Sequence, residues 1–275
     1  MKDQVVLITG GSSGIGEACA IYYGLAGAKI VTTGRNSGKL TSAASRIKSE
    51  GVQDVLALRG DVSSIDDCGT IVKKTIEHYH KIDVLINNAG ISMRALFDDI
   101  ELEVFKKVMD INFYGTLYMT KACLPYIRQT EGSIIGVSSI AGKKGLPART
   151  AYSASKFAME GFLQSLRIEL IHENVHIMVV SPGFVRTNIR NTALTSDGAT
   201  QGKSPKNEDK LMTPGEVAKE MVVATIKRKR DLVLTLQGKT LVKVDKIAPH
   251  FADKQVYKHF ANETDSPLNK KDSHP

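Results

Sequence analysis

The chain has 275 residues, 42% of them apolar, with a formal charge of +8 and three cysteines. That length carries a full core within one large α/β domain, and no apolar run approaches the roughly 20 residues of a membrane-spanning helix. Cys19, Cys68 and Cys123 are scattered, odd in number and without metal-ligand spacing; this argues against a disulfide framework or a zinc site and for a reducing, cytoplasmic setting.

An apolar run begins at Val5, which leaves no room before it for a signal peptide or anchor. Residues 5–9 read as the first strand, followed by a Gly-rich turn and a helix over 15–26. Residues 29–33 form strand two, with a helix over 40–49; residues 55–59 form strand three, with a helix over 71–78. Strand four covers 84–87, and one long helix follows over 104–128. Strand five covers 133–137, a helix 151–171, and strand six 176–180. Pro214 and Glu216 open another helix, and 232–235 is a last strand. Strands alternating with helices predict a Rossmann-like, doubly wound parallel α/β sheet flanked by helices on both faces. The expected organisation is a single dinucleotide-binding and catalytic domain over 1–260. It includes a polar substrate loop over 187–212 and is followed by a polar, frayed tail over 261–275.

The basic surplus is richest late in the chain, at Lys227-Arg-Lys-Arg230, Lys239, Lys243, Lys246, Lys254, Lys258, Lys270 and Lys271. Acidic residues are interleaved and no aromatic stacking motif accompanies the charges, so a solvated basic surface is preferred. Attraction of anionic substrates, or weak association with an anionic membrane surface, comes next. Nucleic-acid binding is not expected, because no recognition motif is present. His78, His80, His172, His176, His250, His259 and His274 form no metal constellation and read as structural or surface groups; no metal is expected.

Two segments carry chemistry. In Tyr152-Ser-Ala-Ser-Lys156 a helix brings a phenol and an ammonium group one turn apart on one face. A free phenol has a pKa of about 10, and a neighbouring cation lowers it toward a usable general acid or base. Far upstream, Thr9-Gly-Gly-Ser-Ser-Gly-Ile-Gly16 follows the first strand and opens the first helix. Gly10, Gly14 and Gly16 permit a tight turn and close approach to a pyrophosphate at a helix N-terminus.

The spacing G-x-x-x-G-x-G resembles the short-chain dehydrogenase/reductase family, and its other segments follow in order. They are Asp61-Val62, Asn87-Asn-Ala-Gly90, Asn112, Ser138-Ser139, Tyr152 with Lys156, and Pro182-Gly183 with Thr187. The resemblance covers residues 4 to about 235 and implies a catalytic tetrad of Asn112, Ser139, Tyr152 and Lys156. In reduction, Tyr152 gives a proton to the carbonyl oxygen and Ser139 hydrogen-bonds that oxygen. Lys156 lowers the Tyr152 pKa and holds the nicotinamide ribose, and Asn112 holds a water. Asn112 also reads as a structural amide near the sheet, and Ser138 as a turn cap. The implied coenzyme contacts are Gly10, Ser12, Ser13, Gly14, Ile15 and Gly16, then Arg35 and Asn36, and Asp61 and Val62 for adenine. Asn88, Ala89 and Gly90, Tyr152 and Lys156, and Pro182, Gly183, Val185 and Thr187 complete the set.

An NAD site needs a carboxylate at the end of strand two. Here the segment is Thr33-Gly34-Arg35-Asn36. A guanidinium clamps a 2′-phosphate that a carboxylate would repel, so the expected cofactor is NADP(H), with Ser12 adding a donor. Ser13 stands where some NADP-preferring relatives carry a second basic residue. Ala141-Gly-Lys-Lys-Gly-Leu-Pro147, Ser181-Pro-Gly-Phe-Val-Arg-Thr-Asn188, Phe251-Ala-Asp-Lys-Gln-Val-Tyr257 and Asp265-Ser-Pro267 look like the branch with member 7B-type dehydrogenase/reductases and corticosteroid-type reductases. That branch implies a hydrophobic or lipid-like carbonyl or alcohol as substrate, and the family implies a homodimer or homotetramer. Alternatives are a 3-oxoacyl-carrier-protein reductase, a non-catalytic NADP(H) sensor and a nucleic-acid-binding protein.

Overall fold

The computed structural model describes residues 1–204 and 211–269. Part of the expected loop over 187–212 and the end of the expected tail, with Lys270, Lys271 and His274, therefore lie outside the described residues. The strands are β1 (Val5–Ile8), β2 (Lys29–Gly34), β3 (Val55–Arg59), β4 (Val84–Asn87), β5 (Ser133–Val137), β6 (His176–Ser181) and β7 (Asp231–Val233). They form one sheet in the order β3-β2-β1-β4-β5-β6-β7, with every pairing parallel.

Strand alternation explains the two cores. Val6 and Ile8 of β1 point to one face, with Ile30, Ile86, Val137 and Val180. There they meet Ala18, Cys19 and Tyr23 of α1 (Gly14–Leu25), Ile47 of α2 (Ser37–Ser49), and Val217 and Met221 of α7 (Pro214–Ile226). Val5 and Leu7 point to the other face, with Val31, Leu85, Ile134 and Ile177. There they meet Ile71 of α3 (Ile65–Tyr79), Met119 and Cys123 of α5 (Gly115–Gln129), and Met159 and Leu163 of α6 (Thr150–Glu169). A strand buried on both faces reads as an unbroken apolar run.

Several boundaries differ from expectation. The α3 helix begins at Ile65 because Ser64 accepts from the Asp67 amide and Asp66 and Asp67 occupy the first turn. The expected long helix is α4 (Leu102–Met109), a π-helical segment over Asp110–Tyr114, and then α5. The last strand stops at Val233, and Thr235, at φ +67°, caps an unexpected helix α8 (Leu236–Ile247). A second unexpected helix, α9 (Pro249–Ala261), follows. The polar segment after Ala261 does not fray over its described part: Glu263 and Ser266 are buried, and the Thr264 carbonyl accepts from Arg94 Nη2 at 2.9 Å. Pro214 opens α7 as expected, inside a reciprocal Thr213–Glu216 capping box.

Candidate active site

Strands β1 and β4 are neighbours whose following segments depart in different directions, the position where doubly wound sheets bind ligands. The glycine turn is fastened there by short polar bonds. Thr9 Oγ1 accepts from the amides of Asn88 and Ala89, both at 3.0 Å. Asn88 Nδ2 donates back to the carbonyls of Thr9 (2.9 Å) and Gly10 (3.1 Å). Gly10 sits at φ +66°, and a Cβ on it would come within 2.8 Å of Ala89 Cα. Ser13 precedes α1 without a side-chain cap, so the first amides of that helix keep their donors. A tight turn, an uncapped helix start and close strand approach suit a dinucleotide pyrophosphate.

The predicted catalytic residues converge from several elements. Ser139 caps a short 3₁₀ turn over Ile140–Gly142, its Oγ accepting from the Ala141 amide at 3.1 Å, and it lines the same cavity as Tyr152. Ser138 points elsewhere, donating to Glu160 Oε1 at 2.7 Å. Lys156 Nζ donates to the Val137 carbonyl at 2.8 Å and lies 5.8 Å from the centre of the Tyr152 ring. Asn112, in the π-helical segment, bridges the Ile91 amide (2.8 Å), the Ile91 carbonyl (2.9 Å) and Ser155 Oγ (2.9 Å). Its side chain thereby links the loop after β4 to α6. π-Bulges inside helices recur at functional sites.

The expected tuning of Tyr152 by Lys156 is corrected. Burial raises the Tyr152 pKa, opposed by the neighbouring Ser139 hydroxyl and by the charge of Arg149. The Lys156 ammonium stands over the ring, while its own pKa is pushed down by burial to about 8, with Glu160 opposing. The phenol therefore stays protonated at neutral pH.

At the end of β2, Ser12 Oγ lies 3.4 Å from where a Gly34 Cβ would stand, so Ser12 and Gly34 border one edge. Arg35 is exposed, with Nη1 3.7 Å from Asp61 Oδ2, and Arg59 Nε donates to the Arg35 carbonyl at 3.2 Å. Arg59 thus brings a second guanidinium up to the Arg35 backbone. Asn36 caps α2, accepting from the Lys39 amide at 2.9 Å. Val62 packs against Gly115, where a Cβ would approach Val62 Cγ2 to 2.7 Å.

A cavity of about 660 Å³ joins these parts. Of the predicted residues, Ile15, Asn88, Gly90, Ser139, Tyr152, Lys156, Pro182, Gly183, Val185 and Thr187 line it. Gly10, Ser12, Ser13, Gly14, Gly16, Arg35, Asn36, Asp61, Val62, Ala89 and Asn112 lie outside its lining. The far wall comes from residues that sequence reasoning missed: Leu241 of α8, and Val256, His259 and Phe260 of α9. His259, expected among structural or surface groups, stacks on Phe184 with ring centres 5.7 Å apart. Arg149 also lines the cavity, 4.4 Å from the Phe260 ring centre and 2.9 Å from Glu263 Oε2. Arg94 Nη2 reaches the same oxygen at 3.5 Å. One buried carboxylate thus serves two buried guanidiniums and fixes the C-terminal wall. The apolar spacing of Val256 and Phe260, four residues apart, was the available signal for that wall.

A family model described as short chain dehydrogenase matches residues 4–197. The chain is 37% identical over 239 residues to dehydrogenase/reductase SDR family member 7B of Mus musculus, spanning 86% of this chain and 74% of that one. It is 40% identical over 210 residues to 11-beta-hydroxysteroid dehydrogenase 1A of Arabidopsis thaliana, spanning 76% of this chain and 57% of that one. Among solved structures, it resembles an alcohol dehydrogenase from the archaeon Thermococcus sibiricus complexed with 5-hydroxy-NADP. The TM-score is 0.74 at 25% identity, over 85% of this chain and 96% of the other. A short chain dehydrogenase/reductase from Burkholderia phymatum in complex with NAD shares the fold, with a TM-score of 0.80 at 22% identity over 91% and 95% of the two chains.

Replacing Glu263 by Gln leaves Arg94 and Arg149 buried without their shared anion. Denaturant unfolding of E263Q is expected to show a loss of about 3 kcal/mol, the scale of a broken buried ion pair; an unchanged midpoint would contradict the bridging role.

Proposed function

Because the chain belongs to the short-chain dehydrogenase/reductase family, an oxidoreductase family acting on CH–OH and C=O groups, we propose that it is an NADP(H)-dependent enzyme interconverting a ketone and a secondary alcohol. Its favoured substrate is a hydrophobic, lipid-like carbonyl. The observation carrying this reading is the convergence of Ser139, Tyr152 and Lys156 on the wall of a largely apolar cavity. Ile140, Leu146, Phe184, Val185, Leu241 and Phe260 supply apolar surface there. The similarity to a relative named for hydroxysteroids agrees with an apolar substrate.

The turn from Gly10 to Gly16 would hold the pyrophosphate, Asp61 and Val62 the adenine, and Pro182, Gly183, Val185 and Thr187 the nicotinamide. Bound there, the nicotinamide supplies the hydride for reduction. Tyr152, protonated at neutral pH, gives its proton to the carbonyl oxygen as negative charge develops on it. Ser139 donates a hydrogen bond to that oxygen and fixes it beside the phenol. Lys156 holds ribose hydroxyls, and Asn112 braces the loop after β4 against α6. Preference for NADP(H) rests on Arg35, with Ser12 and Arg59 beside it. We place the enzyme in the cytoplasm, consistent with three buried free thiols, and as a homodimer or homotetramer through α5 and α6, where Phe157 and Ile168 stand exposed.

Weak association with anionic membrane surfaces is part of the same reading. On α8 and α9, Leu236 and Ile247 are 81% and 85% exposed, alongside exposed Lys239, Lys243, Lys246, Lys254 and Lys258. Among the described residues, no helix is long and apolar enough to cross a membrane.

Tyr152→Phe is expected to lose nearly all NADPH-dependent turnover across a panel of apolar ketones while nicotinamide-coenzyme binding, read by fluorescence titration, stays near wild type. Full activity in that variant sinks the mechanism. Arg35→Asp is expected to weaken NADPH at least tenfold while leaving NADH affinity within a factor of a few; this corresponds to a charge-assisted contact of about 1.5 kcal/mol or more. Equal NADPH affinity in the two proteins removes the basis for the coenzyme assignment. Vesicles containing phosphatidylserine should co-sediment the protein at low salt and release it at high salt, and neutral vesicles should not retain it; salt-insensitive or absent binding refutes the surface reading.

A further inference from the structure

The stripe on α6 continues beyond Lys156. Tyr152, Lys156 and Glu160 stand four residues apart, so one helix face carries all three. Glu160 is only 4% exposed, and its partners Ser138 and Ser181 are each next in chain to a part of the site. Its Oε1 accepts from Ser138 Oγ at 2.7 Å, and Ser138 precedes Ser139. The same oxygen accepts from Ser181 Oγ at 3.3 Å, and Ser181 precedes Pro182-Gly183. Its Oε2 lies 2.6 Å from Lys143 Nζ, just past the 3₁₀ turn. The fit is close: a Cβ on Gly142 would stand 2.5 Å from Ser138 Oγ and 2.7 Å from Glu160 Oε1.

We propose that Glu160 is a positioning residue of the active site: its carboxylate joins the Ser139 turn, the Pro182-Gly183 loop and the reactive face of α6, as the buried anion one helical turn beyond Lys156. The proposal rests on reading Lys156 as a working cation of this site. A buried ion pair with a purely structural role needs no such placement, since apolar side chains of equal volume serve as well. Here the carboxylate is connected to β5, β6 and the turn at the residues flanking the site.

The charges around Lys156 are few. Its own helix presents Tyr152, Glu160 and, at the helix start, Arg149; the turn presents Lys143 through Glu160. The ends of β5 and β6 present the hydroxyls of Ser138, Ser139 and Ser181, and the π-helical segment presents the Asn112 amide. Burial favours the neutral amine, and Glu160 opposes it. An amine is protonated below its pKa, so removing Glu160 discharges Lys156 at lower pH. Removing Lys143 leaves the Glu160 charge uncompensated and has the opposite effect.

The test is an NMR titration of the full chain bearing isotope-labelled lysine, with the Lys156 signal assigned by its loss in K156R. In E160Q the Lys156 midpoint is expected about one pH unit below wild type, and in K143M above wild type by a smaller amount. Equal midpoints in the three proteins, or shifts of the same sign, overturn the proposal. If E160Q fails to fold, K143M decides alone: an unmoved or lowered midpoint overturns it. No turnover is required, so a failure of the reductase reading, seen as full activity of Tyr152→Phe, is distinguishable from a failure here.

Discussion

Buried polar bonds across the C-terminal edge of a parallel sheet hold this site together. Apolar packing fixes the sheet and its helices, but it does not orient loops that leave neighbouring strands. Thr9 and Asn88 fasten the glycine turn to the end of β4. Asn112 fastens the loop after β4 to Ser155 of α6. Glu160 fastens α6 back to the ends of β5 and β6. Each of these groups is removed from bulk water, where an unmet partner costs about 1–3 kcal/mol. The links therefore act together, and displacing one leaves donors or acceptors stranded on the next element.

That arrangement clarifies how labour is divided around Tyr152. Burial raises the pKa of its phenol, while the Ser139 hydroxyl and the Arg149 charge work against that rise. Lys156 donates to the Val137 carbonyl and lies 5.8 Å from the centre of the Tyr152 ring. Both cations near this phenol have a buried carboxylate beside them, Glu263 shared by Arg149 and Arg94, and Glu160, also paired with Lys143, for Lys156.

The order of strands was legible because strands buried on both faces are short apolar runs, and the alternating helices forced parallel crossovers. The convergence of Ser139, Tyr152 and Lys156 was legible from motif spacing and family resemblance. The physical reason that Ser139 rather than Ser138 faces Tyr152, the capture of Ser138 by Glu160, required three-dimensional neighbours. The helix α8 was illegible because Gly238 is its one fully enclosed residue, so no apolar stripe announces it. The π-helical segment shifts backbone register without a compositional mark. The sign of the Tyr152 shift was misjudged because a one-turn spacing reveals a neighbouring cation but not the burial that outweighs it. Glu263 was missed because a carboxylate in a polar segment looks solvated until its two arginine partners are seen.

The C-terminal wall has a consequence for how the chain matures. The glycine turn, the β4 loop, Ser139, Tyr152, Lys156 and Thr187 all precede residue 188, whereas Glu263, which pins Arg149, is among the last described residues. Domains synthesised from the N-terminus organise as they emerge. The residues assigned to the dinucleotide are therefore translated before those of the opposite wall, and Arg94 and Arg149 well before the Glu263 carboxylate that they share.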